Sequence, residues 1–271
     1  MTFKHKKPKI AIVGLTCCEG CEFAVLDLGQ KVLDLARHID FVEFRMIKED
    51  PKVIGPYDIC FVEGSAVTKQ NRKQLMELRE KSKLMIVLGN CADTGGIHQM
   101  KSFAGKDKLL KMVYKNPKGI ENSEIEPISN LVKVDHTIPG CPITAEEFLN
   151  ITYQLLSGLP VKLLQNPVCW ECQINGYECL LQKGDICVGP ITLAGCDAVC
   201  LKGKQACWGC RGLIEEPDVT KFVTMLWRNH PLPKIFEVLE VFGIKDNWQQ
   251  EALKEELIEQ KEKRKKTNPS T

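Results

Sequence analysis

Eight of the fourteen cysteines of this chain lie between Cys169 and Cys210, in the pattern C-x2-C-x6-C-x7-C-x8-C-x3-C-x6-C-x2-C. The residues between them form few apolar runs and include many glycines and prolines. Such a segment buries too little side chain to offset its own ordering entropy. We therefore expect two inorganic centres to hold it, each bound by four cysteines: Cys169, Cys172, Cys179 and Cys187 for one, and Cys196, Cys200, Cys207 and Cys210 for the other.

The composition leaves room for a sizeable core besides these centres. The chain has 271 residues, 44% of them apolar, which suits one large domain or two smaller ones. A net charge of +2 gives no reason to expect nucleic acid or a membrane surface as a partner. Neither a transmembrane run nor a signal peptide is visible, so we expect a cytoplasmic protein. In that compartment cysteines bind metals more often than they form disulfides.

The first half alternates between strand and helix patterns. Apolar runs predict strands over 9–15, 40–46, 57–62, 84–88 and 131–134, and amphipathic patterns predict helices over 22–37, 68–82, 106–114 and 144–156. We expect Thr144 to cap the last of these helices, with Glu147 completing a capping box. The order of elements predicts a mostly parallel sheet with helices on both faces, and hence an α/β, flavodoxin-like domain.

Three units are expected along the chain. Residues 1–160 would form the flavodoxin-like domain, and residues 161–216 a small, irregular, ferredoxin-like domain that holds two clusters. Residues 217–271 would form a C-terminal helical segment, with helices over 218–228, 233–241 and 247–261 followed by a disordered tail.

Four further cysteines follow the predicted strands of the first half. Cys18 and Cys21 come after the first strand, Cys91 after the fourth and Cys141 after the last. Because the carboxyl ends of parallel strands share one edge, where ligands bind, these four can converge on a third centre. Cys17 is an alternative to Cys18, although the C-x2-C spacing favours Cys18. Cys60 lies inside a predicted strand and is expected to be a buried apolar residue.

The cysteine spacing leaves two kinds of metal centre open. Structural zinc would explain four-cysteine sets, and the C-x2-C pairs at both ends of the segment allow it. Zinc sites usually separate two tight pairs by one loop, however, whereas Cys179, Cys187, Cys196 and Cys200 come singly. A unit of four irons and four sulfides is larger and tolerates more widely distributed thiolates. The spacing therefore favours iron–sulfur clusters over zinc.

Several short motifs together resemble the small subunit of [NiFe] hydrogenases. They are C-E-G-C, E-G-S, G-N-C-A and P-G-C-P in the first half, and P-V-C-W-E-C, N-G-Y-E-C, C-V-G-P-I-T-L-A-G-C and A-C-W-G-C-R-G in the second. The second set is most similar to the cytoplasmic branch, which includes sulfhydrogenase delta subunits and the gamma subunits of methyl-viologen-reducing hydrogenases. The resemblance covers residues 9–212. The tandem Cys17-Cys18 is similar to the cluster-bearing subunit of complex I, which lacks the eight-cysteine domain.

The resemblance implies three [4Fe-4S] clusters and assigns each cysteine set to one of them. The proximal cluster would use Cys18, Cys21, Cys91 and Cys141, the medial cluster Cys196, Cys200, Cys207 and Cys210, and the distal cluster Cys169, Cys172, Cys179 and Cys187. The chain departs from the periplasmic members of the family in two places. Cys169 stands where they have a distal histidine, and Cys200 supplies a fourth medial ligand where they have three cysteines and a [3Fe-4S] cluster.

The same resemblance implies an oxidoreductase subunit with no hydrogen-activating site of its own. A large subunit would hold the nickel–iron centre, and a further iron–sulfur or flavin subunit would accept the electrons. Two alternatives stay open: an electron-relay subunit of a complex without hydrogenase activity, and a zinc-stabilised interaction module. Other residues are candidates for supporting roles: Glu63 at the large-subunit interface or as an ordinary loop carboxylate, Arg211 in tuning the clusters, and Trp170 and Trp208 in shielding them. Lys202 and Lys204 could also tune the clusters, but solvated surface charges are the favoured interpretation for these two.

Overall fold

The alternating segments of the first half form a five-stranded parallel sheet in the order β2-β1-β3-β4-β5. The structure is a computed structural model that describes residues 7–47, 55–102, 105–121 and 124–244. The predicted α/β class and parallel sheet are confirmed. The strands are β1 (Lys9–Gly14), β2 (Asp40–Phe44), β3 (Tyr57–Glu63), β4 (Ser82–Leu88) and β5 (His136–Ile138).

Ten α-helices accompany the sheet within the described residues. Six belong to the first half and four to the second, and several are only one or two turns long. They are α1 (Gly20–Leu26), α2 (Gln30–Ala36), α3 (Lys69–Lys81), α4 (Gly89–Asp93), α5 (Lys106–Val113), α6 (Ala145–Leu156), α7 (Val168–Ile174), α8 (Val199–Lys202), α9 (Val219–Leu226) and α10 (Leu232–Glu240).

Alternate residues of the central strands face two separate apolar cores. Ile10 and Ile12 lie on one face, in a core to which α1, α2 and α6 contribute residues such as Val25, Leu35 and Phe148. Ala11 and Val13 lie on the opposite face of the sheet, where they pack with Leu75 and Leu78 of α3. This alternation follows from the two-residue period of a strand, and it leaves the carboxyl edge of the sheet free to carry loops.

The helix expected over 22–37 is instead two short helices, α1 and α2. Gly29 separates them with φ of 57° and ψ of −121°, a backbone conformation that residues with a Cβ rarely adopt. The single-helix prediction is therefore wrong, because an apolar face that continues across the break hides a turn in the backbone.

The last strand of the sheet is also displaced from its predicted position. The L-V-K-V run at 131–134 follows a short 3-10 helix, and β5 begins only at His136. Leu131, Val132 and Val134 pack against the apolar core on the α3 face of the sheet. Their apolar character thus serves packing rather than strand pairing, and the prediction of a strand at 131–134 is wrong.

The start of α6 differs from the expected capping box. Thr144 occupies the N-cap position, but its side chain makes no capping hydrogen bond and instead donates from Oγ1 to the Gly195 carbonyl, 3.2 Å away. Glu147 does not reach back to the N-cap, because Arg211 from the second half holds both of its oxygens. A long-range ion pair has replaced the local motif.

The second half has an apolar core of its own, which the cysteine-rich segment shares with α9 and α10. Val188 and Val168 lie in it beside Phe222, Ile235 and Leu239. The centres are therefore not the segment's only support, contrary to expectation. The helices expected over 218–228 and 233–241 are present, whereas the helix over 247–261 and the tail lie outside the described residues. None of the described helices has both the length and the apolar character needed to cross a bilayer.

Candidate functional site

The four cysteines of the first half meet at the carboxyl edge of the sheet. Cys18 and Cys21 follow β1, Cys91 lies in α4 directly after β4, and Cys141 follows β5. The charge on Cys18 raises the pKa of both Cys91 and Cys141, and Cys91 and Cys141 in turn raise the pKa of Cys21. Because such effects weaken with distance, these side chains lie near one another at this edge.

Burial is the largest cause of the raised thiol pKa values in this set. It raises the pKa of Cys91 and of Cys141 to about 11, with the neighbouring thiolates adding to the effect. The pKa of Cys21, which is 6% exposed, is raised further still, and again burial is the main cause. These three thiols, Cys21, Cys91 and Cys141, do not all ionise together unless a strongly cationic centre lies between them.

Glu63 ends β3 in the middle of this edge and is buried rather than a solvent-exposed loop carboxylate. One of its oxygens accepts from the Cys21 N–H at 3.2 Å and the other from the Glu22 N–H at 3.0 Å. Glu63 thus accepts hydrogen bonds from two backbone amides in the first turn of α1 that have no partner within the helix, and Cys21 supplies one of them. Glu22 is equally buried, and burial, with Glu63 next in importance, raises its pKa to about 7.

A serine and a histidine support the Cys91 segment from the other side. Ser65, of the E-G-S motif, donates from Oγ to the Cys91 carbonyl at 2.8 Å, and its Oγ lies 2.9 Å from His98 Nδ1. Burial lowers the pKa of His98, and the charge of Lys101 lowers it further. Sequence reasoning left this pair out, since nothing in the E-G-S motif connects it to a histidine 33 residues away.

The two remaining cysteines differ in their surroundings. Cys60 is fully buried in β3, as predicted, and burial raises its pKa to about 12. The Cys17 thiol donates to the Leu15 carbonyl at 3.8 Å and packs beside Gly14. Burial raises the pKa of Cys91 most, and the charge of Cys17 raises it less than the charge of Cys18 does.

The first four cysteines of the cysteine-rich segment, which runs from Cys169 to Cys210, form a second group. Cys169 and Cys172 lie one turn apart on α7, while Cys179 and Cys187 reach them from loops. Burial raises the pKa of Cys169 to about 12, followed in importance by the charges of Cys187, Cys172 and Cys179. Burial likewise raises the pKa of Cys172, with Cys179 and Cys187 contributing.

The last four cysteines form a third group around α8. Burial, followed by Glu171, raises the pKa of Cys196 to about 11, and Cys210 contributes. Burial is also the main cause of the raised pKa values of Cys210 and Cys207. The charge of Cys200 contributes to the first, and the charge of Cys210 to the second. A cavity of about 710 Å³, lined largely by apolar side chains, opens beside Cys141 and all four members of this group.

Neighbouring groups touch at two junctions. Burial raises the pKa of Cys210 to about 11, and both the backbone and the charge of Cys141 act on it; Cys141 also lines the cavity of the third group, which joins the first and third groups. The Cys207 N–H donates to the Cys187 sulfur at 3.3 Å, and the Cys187 charge raises the pKa of Cys200, which joins the third and second groups. The third group therefore lies between the other two.

Charged side chains bind the loops at these junctions. Arg211 is buried and pairs with Glu147 of α6, while Glu171, in the middle of C-W-E-C, binds backbone amides of the Cys196 segment. Sequence reasoning named Arg211, assigned Glu147 to a local capping box and missed Glu171; the partners of both glutamates are distant in the chain. Lys202 and Lys204 are exposed, and Trp170 and Trp208 are each 46% exposed, so the two rings shield only in part.

The donor chemistry fits a polynuclear centre better than a single ion. All twelve donors are thiols, and among the described residues no three His, Cys, Asp or Glu side chains are arranged to hold one metal ion. A structural zinc would need four such donors at about 2.3 Å from one point. Groups made of thiolates alone suit iron–sulfur clusters, whose ligands stand further apart than those of one zinc ion.

Known proteins match the chain over both halves. A family model described as NADH ubiquinone oxidoreductase, 20 Kd subunit, matches residues 18–155. The delta subunit of sulfhydrogenase 2 from Pyrococcus furiosus is 32% identical over 87% of this chain and 99% of its own length. The chain belongs to the hydrogenase small-subunit family. A subunit of the vhu F420-non-reducing hydrogenase of Methanocaldococcus jannaschii is likewise 32% identical, over 77% of this chain and 83% of that protein.

Solved structures agree with the fold. A chain of an NAD+-reducing [NiFe]-hydrogenase in the H2-reduced state superposes with a TM-score of 0.53 at 26% identity, covering 59% of this chain and 96% of its own. A chain of the Ni-Fe-Se hydrogenase of Desulfomicrobium baculatum covers 79% of this chain with a TM-score of 0.52, and at 16% identity it supports the fold alone. The match to the sulfhydrogenase relative also extends beyond residue 155, where the family model ends, and so into the second half.

Proposed function

We propose that this chain is the electron-transfer subunit of a cytoplasmic [NiFe] hydrogenase and carries three [4Fe-4S] clusters. Electrons from hydrogen oxidised on a large subunit would pass from the proximal to the medial and then to the distal set. The observation that carries the proposal is the arrangement of twelve cysteines in three groups of four. These groups meet in series at Cys141–Cys210 and at Cys187–Cys207.

The proposal assigns one set of four cysteines to each cluster. Cys18, Cys21, Cys91 and Cys141 would hold the proximal cluster, Cys196, Cys200, Cys207 and Cys210 the medial cluster, and Cys169, Cys172, Cys179 and Cys187 the distal cluster. The clusters would supply one-electron storage, and the protein supplies burial, hydrogen bonds to sulfur and fixed charge. Cys18 is preferred to Cys17 because it acts more strongly on Cys91, and Cys18 alone of the two acts on Cys141.

The polypeptide has defined tasks in this proposal. The Cys207 amide donates a hydrogen bond to the Cys187 sulfur of the adjoining set. Hydrogen bonds to ligating sulfurs are one of the means by which a protein tunes the potential of a cluster. Glu63 accepts hydrogen bonds from the Cys21 and Glu22 amides at the start of α1. We further propose the division into residues 1–160, 161–216 and 217–271, with the last two sharing one apolar core.

A second candidate is an electron-relay subunit in a complex without hydrogen chemistry. The description of the matching family model, an NADH ubiquinone oxidoreductase subunit, favours it as the alternative. Both candidates use the same clusters and differ in the partner. A zinc-stabilised module is disfavoured, because zinc sites usually separate two tight pairs by one loop, whereas Cys179, Cys187, Cys196 and Cys200 come singly.

Anaerobic purification of the native complex separates these candidates. We expect a large subunit that contains nickel to copurify, together with an iron–sulfur or flavin acceptor subunit, and the clusters of this chain to become reduced under hydrogen but not under nitrogen. A partner without nickel, combined with clusters that dithionite reduces and hydrogen does not, would favour the second candidate. Relatives named as parts of an NAD-reducing hydrogenase and of F420-non-reducing hydrogenases make nicotinamide and non-F420 acceptors the first to test.

A further inference from the structure

The loop of residues 194–198, here called the Cys196 loop, lies between two charged side chains from different parts of the chain. Arg211 contacts its first residue, and Glu171 contacts residues further along. Each charged residue also belongs to a segment that carries cysteines of a neighbouring set or contacts one. The loop is therefore attached on one side toward the proximal set and on the other toward the distal set.

Arg211 makes the attachment toward the proximal set. Its side chain is 1% exposed, and its Nε donates to the Ala194 carbonyl at 2.8 Å. One terminal nitrogen donates to the Pro139 carbonyl at 2.8 Å, two residues before Cys141. Both terminal nitrogens bind the two oxygens of Glu147, at 2.9 and 2.8 Å. One planar guanidinium thus joins α6, the Cys141 segment and the Cys196 loop.

The loop is shaped to receive this guanidinium. Gly195 has φ of 117°, and a Cβ built there would overlap the terminal nitrogen of Arg211 and lie 3.0 Å from a Glu147 oxygen. The fork geometry of arginine matches a carboxylate and two carbonyls at once, which a lysine ammonium on a flexible stem does not reproduce. The contact therefore depends on arginine opposite glycine.

Glu171 makes the attachment toward the distal set. It lies on α7 between Cys169 and Cys172, and its two oxygens accept from the Gly195 N–H at 2.8 Å and the Ala198 N–H at 3.1 Å. The Cys196 thiol lies 3.8 Å from the second oxygen. The carboxylate thereby fixes the loop to the helix that bears two predicted distal ligands.

The backbone of the loop shows what this carboxylate holds in place. Asp197 and Ala198 have φ of 57° and 48°, a left-handed conformation that costs free energy for residues other than glycine. Asn175, at the C-terminal end of α7, adds a second contact by donating from Nδ2 to an Asp197 carboxyl oxygen at 3.0 Å. Such a conformation persists only where its surroundings determine it.

We infer that Arg211 and Glu171 are positioning residues that fix the medial set relative to the proximal and the distal set, respectively. The inference rests on the proposed function, because it concerns the spacing of the three centres. Neither side chain is assigned as a ligand. Residues that hold ligating segments in this way control geometry and potential without touching the metal.

The test uses Arg211→Lys and Glu171→Gln in the native complex, with Glu146→Gln as the matched control. Glu146 is the neighbour of Glu147 on α6, and its ion pair with Lys31 is exposed. The readout is the magnetic coupling between neighbouring reduced clusters, measured by electron paramagnetic resonance, together with each midpoint potential. Arg211→Lys should abolish the proximal–medial splitting and leave the medial–distal splitting unchanged. Glu171→Gln should abolish the medial–distal splitting and leave the proximal–medial splitting unchanged. It should also raise the medial midpoint potential, because a negative charge next to Cys196 is removed.

The outcomes separate this inference from the function on which it rests. A wild-type complex without reducible clusters overturns both. A fully loaded wild type without measurable coupling, variants whose couplings are unchanged, or variants that weaken both couplings equally would overturn the inference alone. If the Arg211→Lys protein does not accumulate, Glu147→Gln tests the same junction, because Glu147 is the carboxylate that Arg211 binds. Selective loss of the proximal–medial splitting is expected there too.

Discussion

Gly89 offers the sharpest test of the proximal set, because the structure leaves no room for a side chain there. It begins α4, the helix of Cys91, with φ of 76°. A Cβ on Gly89 would overlap the sulfur of Cys21 and lie 3.1 Å from the Gly140 carbonyl oxygen. The substitution Gly89→Ala thus acts on Cys21 directly, while Cys91 and Cys141 lie one or two residues from the sites of contact.

The size of the effect follows from these contacts. Packed non-bonded atoms keep about 3.5–4 Å apart, so the Cys21 sulfur would have to move by about 1 Å. Metal–ligand distances tolerate deviations of only about 0.2 Å. The left-handed backbone adds a cost of about 1–2 kcal/mol for alanine. We therefore expect Gly89→Ala to lose the proximal cluster, which is about one third of the iron of three four-iron clusters, and to keep the other two.

Iron and sulfide analysis of anaerobically purified protein, with electron paramagnetic resonance of the reduced state, measures this loss. The control is Gly29→Ala, since Gly29 also has positive φ but a Cβ there would meet nothing within 4 Å. It should lower stability without lowering the iron content. Full iron in Gly89→Ala, with an unchanged proximal signal, would refute the assignment of Cys21 as a ligand.

Three further predictions address the remaining assignments. Cys18→Ser should lose about one third of the iron while Cys17→Ser keeps all of it, and equal losses would speak against the choice between the two. Cys200→Ser should convert the medial centre to a three-iron form, visible by electron paramagnetic resonance after oxidation; an unaltered spectrum would remove Cys200 from the set. Glu147→Gln leaves the Arg211 charge buried without a counter-charge, at a cost of about 3 kcal/mol, and so should lower Tm by about 6–12 °C. Glu146→Gln, at an exposed pair, should change Tm by no more than about 4 °C, and equal shifts would contradict this account.

Most of the fold was predictable because periodicity reports burial directly. The middle residues of β1 and β3 are apolar on both faces, as expected of central parallel strands covered by helices on each side. The edge strand was harder to predict, since β5 has three residues and pairs on one side only, while the more apolar run at 131–134 packs without pairing. The break at Gly29 had a visible signal, a glycine within a helical pattern, which the continuous apolar face outweighed.

The candidate site was predictable to the extent that chemistry is carried by residue type. Cysteine spacing and strand ends predicted which thiols belong together; in the structure thiols of each predicted group influence one another's pKa, while the ligand sets themselves stay a prediction. The supporting contacts were not predictable, because they join residues far apart in sequence. Glu147 read as part of a local capping box, yet its partner Arg211 lies 64 residues away. Glu171 binds amides 24 and 27 residues further on, and no local pattern encodes such a pairing.

The central claim is that twelve thiolates hold three reducible four-iron clusters in series. A redox titration of the anaerobically purified wild-type protein, followed by electron paramagnetic resonance and accompanied by iron, sulfide and zinc analysis, tests it most directly. We predict about twelve irons and about twelve sulfides per chain, with three centres that accept one electron each and interact magnetically with their neighbours. Zinc in place of iron, or iron without reducible centres, would contradict the claim.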